Sequence, residues 1–226
     1  MQPLDRPVWA SLTSHHASMS EGSALARRFS RDVNLFASSR DETPAAVAAL
    51  AELLRPGETV LVLQVPEVVI PSGLVEIKAA TGVQMVASRG TSVEIDRGDI
   101  RTLTDADAPE MLALARLTEP GPFLARTQAM GTFLGIRMAG RLAAMAGERM
   151  RFPGYTEVSG VCTHPDFRGR GLARRLSAAV LADIEARGDQ AFLHAWQSNH
   201  AAITLYESLG FKLRTEVNVS VLKRES

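Results

Sequence analysis

One stretch restricts this chain more than any other: Glu157-Val-Ser-Gly-Val-Cys-Thr-His-Pro-Asp-Phe-Arg-Gly-Arg-Gly-Leu-Ala173. Val158, Val161, Cys162 and Thr163 suit a half-buried strand. Pro165 stops that strand, because it cannot donate to a ladder and biases its predecessor towards extended backbone. Arg168-Gly-Arg-Gly171 supplies a turn, and beyond it Leu172, Leu176, Val180 and Ile184 recur every four residues, the period of an amphipathic helix. Strand, glycine-rich turn and helix together make a backbone anion site, since the first N–H groups of a helix have no intrahelical acceptor. Glycine admits positive φ and lets the main chain approach a phosphate with no Cβ between them.

These residues carry a resemblance. Arg168-x-x-Gly171-x-Ala173 resembles the pyrophosphate loop of the GNAT acetyltransferases, a Gln/Arg-x-x-Gly-x-Gly/Ala motif that follows a strand. Ser198-Asn-His-Ala-Ala202 resembles the segment opening the fourth helix of that family, and Leu205-Tyr-Glu-Ser-Leu-Gly-Phe211 the helix end that carries its catalytic tyrosine. The three occur in the family's order between Glu157 and Phe211, and the likeness extends less securely back to about Ile100.

Composition narrows the alternatives. Hydrophobic residues make up 46 % and charged residues 22 %, as in ordinary globular domains. Lys+Arg and Asp+Glu number 25 each, so no global basic field draws nucleic acid or anionic lipid. Arg168, Arg170, Arg174 and Arg175 cluster locally, as a ligand cradle or as a solvated helix face. The single cysteine, Cys162, excludes an internal disulfide and fits a reducing cytoplasm; its strand position suits a packed core thiol better than a nucleophile. The N-terminus lacks the apolar run of a signal peptide. The strongest apolar run, Val60 to Ile70, is interrupted by Gln64, Pro66 and Glu67, which argues against a membrane span. His15-His16 reads as surface or capping histidines, because adjacent residues point apart and no ligand set lies nearby; no metal is expected.

In chain order, Trp9, Leu12, Leu25, Phe29, Val33, Leu35 and Phe36 give the first forty residues enough apolar anchors to pack. Thr43-Pro44 reads as an N-cap with Pro at N1 for a helix over residues 45–54. Thr59 to Val65 reads as a strand covered on both faces. Leu74 to Ile77 and Val83 to Ala87 read as two short strands, or as a helix and a strand. The alternation suggests a smaller α/β domain over residues 1–98, conceivable as a worn second copy of the transferase fold, joined at Ile95 to Asp99 to a domain over residues 99–226. The second part reads β-α-α-β-β-β-α-β-α-β-β: strand Ile100 to Leu103, a capped helix from Thr104, a short helix Phe123 to Met130, strands Thr132 to Arg137 and Leu142 to Met150 about an Ala139-Gly140 turn, and after the central strand and helix, strand Ala191 to Ala195, helix Asn199 to Leu209, and strands Phe211 to Arg214 and Val217 to Leu222. That order matches the GNAT fold, so the fold class is α/β with a mixed sheet. Gly210 is placed to close the last helix in the αL conformation.

The resemblance implies an acetyl-CoA-dependent N-acetyltransferase in which a neutral amine attacks the thioester directly, with acetyl-CoA and an amine acceptor as partners, room for a homodimer, and no nucleic acid or membrane. Arg168, Gly169, Arg170, Gly171, Leu172 and Ala173 would hold the pyrophosphate. Val161, Cys162 and Thr163 would line the pantetheine arm, the Val161 amide facing the thioester carbonyl in an oxyanion-type contact. Asn199 would cap its helix and touch the cofactor. Tyr206 would return a proton to the leaving thiolate; its alternative is a core tyrosine. Glu157 matches a carboxylate that works through water, on one strand face with Ser159, Val161 and Thr163; its alternative is a solvated strand-end residue. His164 and His194 are other candidate bases. Gly160 departs from the family pattern, where a larger apolar residue is frequent. A non-catalytic acyl-CoA-binding protein of the same fold is the rival reading.

Overall fold

The computed structural model describes residues 2–90 and 96–225. Of the expected join, Ile95 lies outside the described residues. Eleven strands and five α-helices follow in order: α1 (Pro7–Leu12), β1 (Ser20–Gly22), β2 (Ala26–Phe29), β3 (Ala37–Ser39), α2 (Pro44–Glu52), β4 (Thr59–Gln64), β5 (Leu74–Ala87), β6 (Ile100–Thr102), α3 (Ala108–Thr118), β7 (Phe133–Met138), β8 (Arg141–Phe152), β9 (Tyr155–Thr163), α4 (Leu172–Ala186), β10 (Gln190–Trp196), α5 (His200–Glu207) and β11 (Phe211–Arg224). The first three strands form a small sheet, and the other eight a mixed sheet in the order β4-β11-β5-β10-β9-β8-β7-β6.

The division expected at residue 98 is not a division of the sheet. β5, from the first segment, pairs antiparallel with β11 on one side and with β10 on the other. β4 closes the same end of the sheet against β11. The first segment therefore supplies two strands of the main sheet. Two expected elements change accordingly. Leu74–Ala87 is one long strand, and Phe211–Arg224 is also one strand, with a register shift between Leu213 and Thr215. The final strand pair expected from the sequence is thus made by β11 and β5. The helix expected over Phe123 to Met130 is a single 3-10 turn, Thr127–Met130.

Alternating side chains fill two cores. On one face, Leu172, Leu176, Val180 and Ile184 of α4 pack on Leu134, Ile136, Ala144, Ala146 and Val158, and the cluster runs on through Met85, Leu193 and Tyr206. On the other face α3 covers Phe133, Met145 and Cys162, while α1 places Val8 and Leu12 over Met150, Phe152 and Phe192. The apolar anchors of the first forty residues serve this second face: Phe29, Val33 and Phe36 join the α1 cluster. Thr43 caps α2 as its sequence suggests, accepting from the Ala46 amide (3.4 Å) with Pro44 at N1. His16 is buried rather than on the surface, bonded to Ser11 Oγ (2.6 Å) and the Met130 carbonyl (2.8 Å), and burial lowers its pKa.

A chain beginning at Asp99 would keep β10 and β11 but lose the strand between them. Both would then expose unpaired backbone and apolar faces. We expect such a chain to lack cooperative thermal unfolding by circular dichroism; a sharp native-like transition would show that β11 can close directly on β10.

Candidate functional site

β9 and β10 run parallel, but their pairing lasts only from Gln190↔Tyr155 to Phe192↔Glu157. From Phe192 to Trp196, β10 pairs with β5. The strand is therefore handed from one neighbour to the other, and a wedge opens between it and β9 with its backbone still satisfied on the far side. A cavity of about 180 Å³ occupies this wedge. Its walls come from β9 (Val158 to Val161), from β10 (His194 to Trp196) and from α5 (Asn199, Ala202, Tyr206), and the first segment adds Phe36, Leu61, Leu63 and Gly82.

β9 is not a uniform strand here. Met145 faces Cys162 and Gly147 faces Ser159, so Gly160 and Val161 together oppose the single residue Ala146. This bulge breaks the alternation expected from Glu157 to Thr163 and leaves an extra residue outside the ladder. Gly160 takes φ +63°, and a Cβ on it would stand 2.8 Å from the Phe133 ring. Glycine at this position is thus required by the bulge and by Phe133. Val161 packs towards the α4 face, whereas the Cys162 thiol lies under α3. Burial pushes that thiol up to about 11, consistent with a core cysteine.

The loop after β9 has the expected form. Pro165–Phe167 makes one 3-10 turn, capped by His164 Nδ1 accepting from the Asp166 amide (3.2 Å). Gly171, at φ +71°, is the N-cap of α4. The first helical bond is Arg175 N–H to Gly171 O, which leaves the amides of Leu172, Ala173 and Arg174 without intrahelical acceptors. Arg175 is neutralised by Asp99. Arg168, Arg170 and Arg174 form no ion pair with a described residue, so their charge is available to an anion at the helix start. Gly169 and Gly171 have open space where a Cβ would sit. Backbone N–H groups, three arginines and two glycines without a Cβ in the way thus meet at the start of α4, where an anion can approach.

Tyr206 and Asn199 come to the cavity from α5. Asn199 caps the helix by accepting from the Ala202 amide (3.1 Å). Tyr206 is 9 % exposed and meets Phe211 edge-on at 5.9 Å. Burial, then the negative charge of Glu157, pushes its phenol up to about 12.

Glu157 is not a solvated strand-end residue; it is 0 % exposed. Arg149 grips both its oxygens (Nε–Oε2 2.7 Å, Nη2–Oε1 2.6 Å), the Met150 amide donates to Oε2 (3.3 Å), and His194 Nδ1 lies 2.7 Å from Oε1. Burial by itself would raise this carboxyl, but the Arg149 charge and hydrogen bonds, with His194 behind them, hold it at about 2. The chain of contacts continues. Gln84 Nε2 lies 3.0 Å from His194 Nε2 and donates to the Leu4 carbonyl; Arg214 donates to Gln84 Oε1 and to Asp5. These partners assign His194 the tautomer with its proton on Nδ1 and Nε2 accepting from Gln84. His194 therefore lines the cavity with both ring nitrogens engaged, and His164 serves the loop. Arg149, Gln84 and Arg214 were not singled out in the sequence. Only Arg149 had a local signal, as one of the charges that follow the apolar run Leu142 to Ala146 in β8. Among the described residues no cluster could hold a metal ion, and no helix is long and apolar enough to cross a membrane.

Replacing Glu157 by Gln should lower stability by about 3–5 kcal/mol, because Arg149 is left buried without a counter-charge. The wild-type protein should also lose stability as pH falls from 4.5 towards about 2: the folded carboxyl stays ionised where the unfolded one binds a proton, so acid favours unfolding. Urea melts across this range should show that fall in the wild type and a shallower one in Glu157→Gln.

Known proteins resemble this chain in sequence and fold. The pattern of the FR47-like protein family matches residues 133–220. A crystal structure from Novosphingobium aromaticivorans assigned to the GNAT family is 42 % identical, with a TM-score of 0.94 and complete coverage of both chains. The N-alpha-acetyltransferase RimI of Mycobacterium tuberculosis is 36 % identical over 124 residues, 50 % of this chain and 77 % of that one. A mycothiol acetyltransferase of Thermobispora bispora is 46 % identical over 69 residues, 30 % of this chain. The chain thus spans 22 % of that relative's length.

Proposed function

The chain belongs to the GNAT superfamily of N-acetyltransferases, and from that premise we propose that it transfers an acetyl group from acetyl-CoA to a primary amine by direct attack in a ternary complex. The observation that carries this reading is the wedge between β9 and β10, which opens on Tyr206; the unpaired amides and arginines at the start of α4 lie just beyond the C-terminal end of the same β9. Arg168 to Ala173 hold the pyrophosphate, the bulged backbone from Gly160 to Thr163 lines the pantetheine arm, and Asn199 borders it. Val161 offers its amide to the thioester carbonyl. The walls from Phe36, Leu61 and Leu63 make the first segment part of the acceptor side.

Tyr206 is the proton donor to the departing thiolate. With its phenol pushed up to about 12, it keeps its proton until a strong base forms beside it. The thiolate released as the C–S bond breaks takes this proton, and the proton shed by the newly acylated nitrogen restores the phenol. Tyr206→Phe should lower kcat by roughly 10²-fold or more while leaving KM for acetyl-CoA nearly unchanged. Wild-type turnover in the variant would assign the hydroxyl a packing role.

Glu157 holds Arg149 and His194 in place and takes no proton itself, since a carboxylate held at about 2 is too weak a base for an alkylammonium with a pKa of about 10.4. The amine then enters neutral or loses its proton to cavity water. The logarithm of kcat/KM should accordingly rise with unit slope as pH increases towards the acceptor's own pKa. A plateau near neutrality would point to a base on the protein. The enclosing experiment is an amine-library screen that follows free coenzyme A, beside a no-acceptor control. Calorimetry showing no acetyl-CoA binding would overturn the transferase reading together with its rival, a non-catalytic acyl-CoA binder.

A further inference from the structure

The sheet leaves one long strand half paired. β11 follows β5 along almost its whole length, whereas β10 reaches only residues 82–86. Among the described residues no strand lies on that side of residues 74–81. Residues 75–79 are exposed, Val75 at 37 % and Ile77 at 55 %. Val69 and Ile70 are exposed in the segment that leads into the strand, and Trp196 is exposed with Lys78 Nζ 6.0 Å above its ring. A free strand edge with apolar side chains is a template for pairing with another strand.

We propose that this edge is the interface between two copies of the chain, joined antiparallel about a two-fold axis through Ile77. Charge fixes the occupant and the register. With the axis at Ile77, Glu76 of each copy lies opposite Lys78 of the other, Val75 lies opposite Ala79, and Ile77 meets its own counterpart. Moving the axis to Glu76 sets two carboxylates against each other, and moving it to Lys78 sets two ammonium groups together, so the neighbouring registers are repelled. Such a self-complementary sequence is what an isologous contact needs; an unrelated strand would need no symmetry about Ile77. Ser220 Oγ donates to Glu76 Oε1 (2.6 Å) and so steadies that carboxylate at the edge. The register shift at this point makes Ile77 the extra residue on β5, without a partner on β11, and leaves it 55 % exposed.

Sedimentation velocity on the full chain over a concentration series tests the assignment. The wild type should dimerise. Lys78→Glu and Glu76→Lys, each alone, place like charges opposite one another twice and should weaken the dimer by about tenfold or more; the double exchange restores opposite charges and should recover most of the affinity. Circular dichroism of each variant checks that these surface changes leave the fold intact. A wild type that stays monomeric at every concentration, or a dimer indifferent to the single exchanges, or a double variant weaker than both singles, would each overturn the proposal.

Discussion

Two rows of backbone hydrogen bonds, one on each side of β5, hold the far half of the sheet to the near half. On one side they take up β10 at the point where it leaves β9. Without that second partner, β10 would either stay against β9 and close the wedge or leave its backbone unsatisfied. The opening of the site is therefore a consequence of strand pairing several residues away from it. The geometry of the candidate site depends on the first segment through the backbone, before any of its side chains is considered.

The side chains reinforce the same dependence. A buried polar chain runs from Arg149 through Glu157, His194 and Gln84 to Arg214 and Asp5. It ties β8, β9, β10, β5 and β11 to the first residues of the chain. Each buried charge in it has an opposite partner, as burial requires. The cost of this arrangement is that Glu157 and His194, whose chemical types suggest proton transfer, are committed to holding one another. On the proposed reading proton movement is left to water and to Tyr206, where burial and the Glu157 charge outweigh Arg149 and keep the phenol protonated.

Parts of this were legible in the sequence for reasons that can be named. The loop and α4 were readable because Gly169, Gly171 and the four-residue period of Leu172, Leu176, Val180 and Ile184 are local signals. The continuity of β5 was not, because Glu76, Lys78 and Gly82 interrupt its apolar pattern; those residues lie in its half-paired stretch and at the point where β10 joins. Likewise Arg214-Thr-Glu216 made β11 look like two strands. Its register shift makes Arg214 the extra residue, while Thr215 and Glu216 stay in the ladder opposite Gln84 and Val83. Glu157 was misjudged in its setting because its position along the strand said nothing of Arg149 and His194, which reach it from other strands. The placement of β5 between β10 and β11 leaves no trace in any window of sequence, since both neighbours lie far along the chain.

That placement also orders events during synthesis. β4 and β5 leave the ribosome well before β11, yet they do not pair with each other; the strand that fits between them is β11. Until it arrives, two apolar strands wait with open edges, and their contacts span most of the sequence. Chains whose pairings are this distant fold slowly and remain exposed to mispairing while they do. A nascent chain that stops short of β11 therefore lacks the strand that joins β4 to β5.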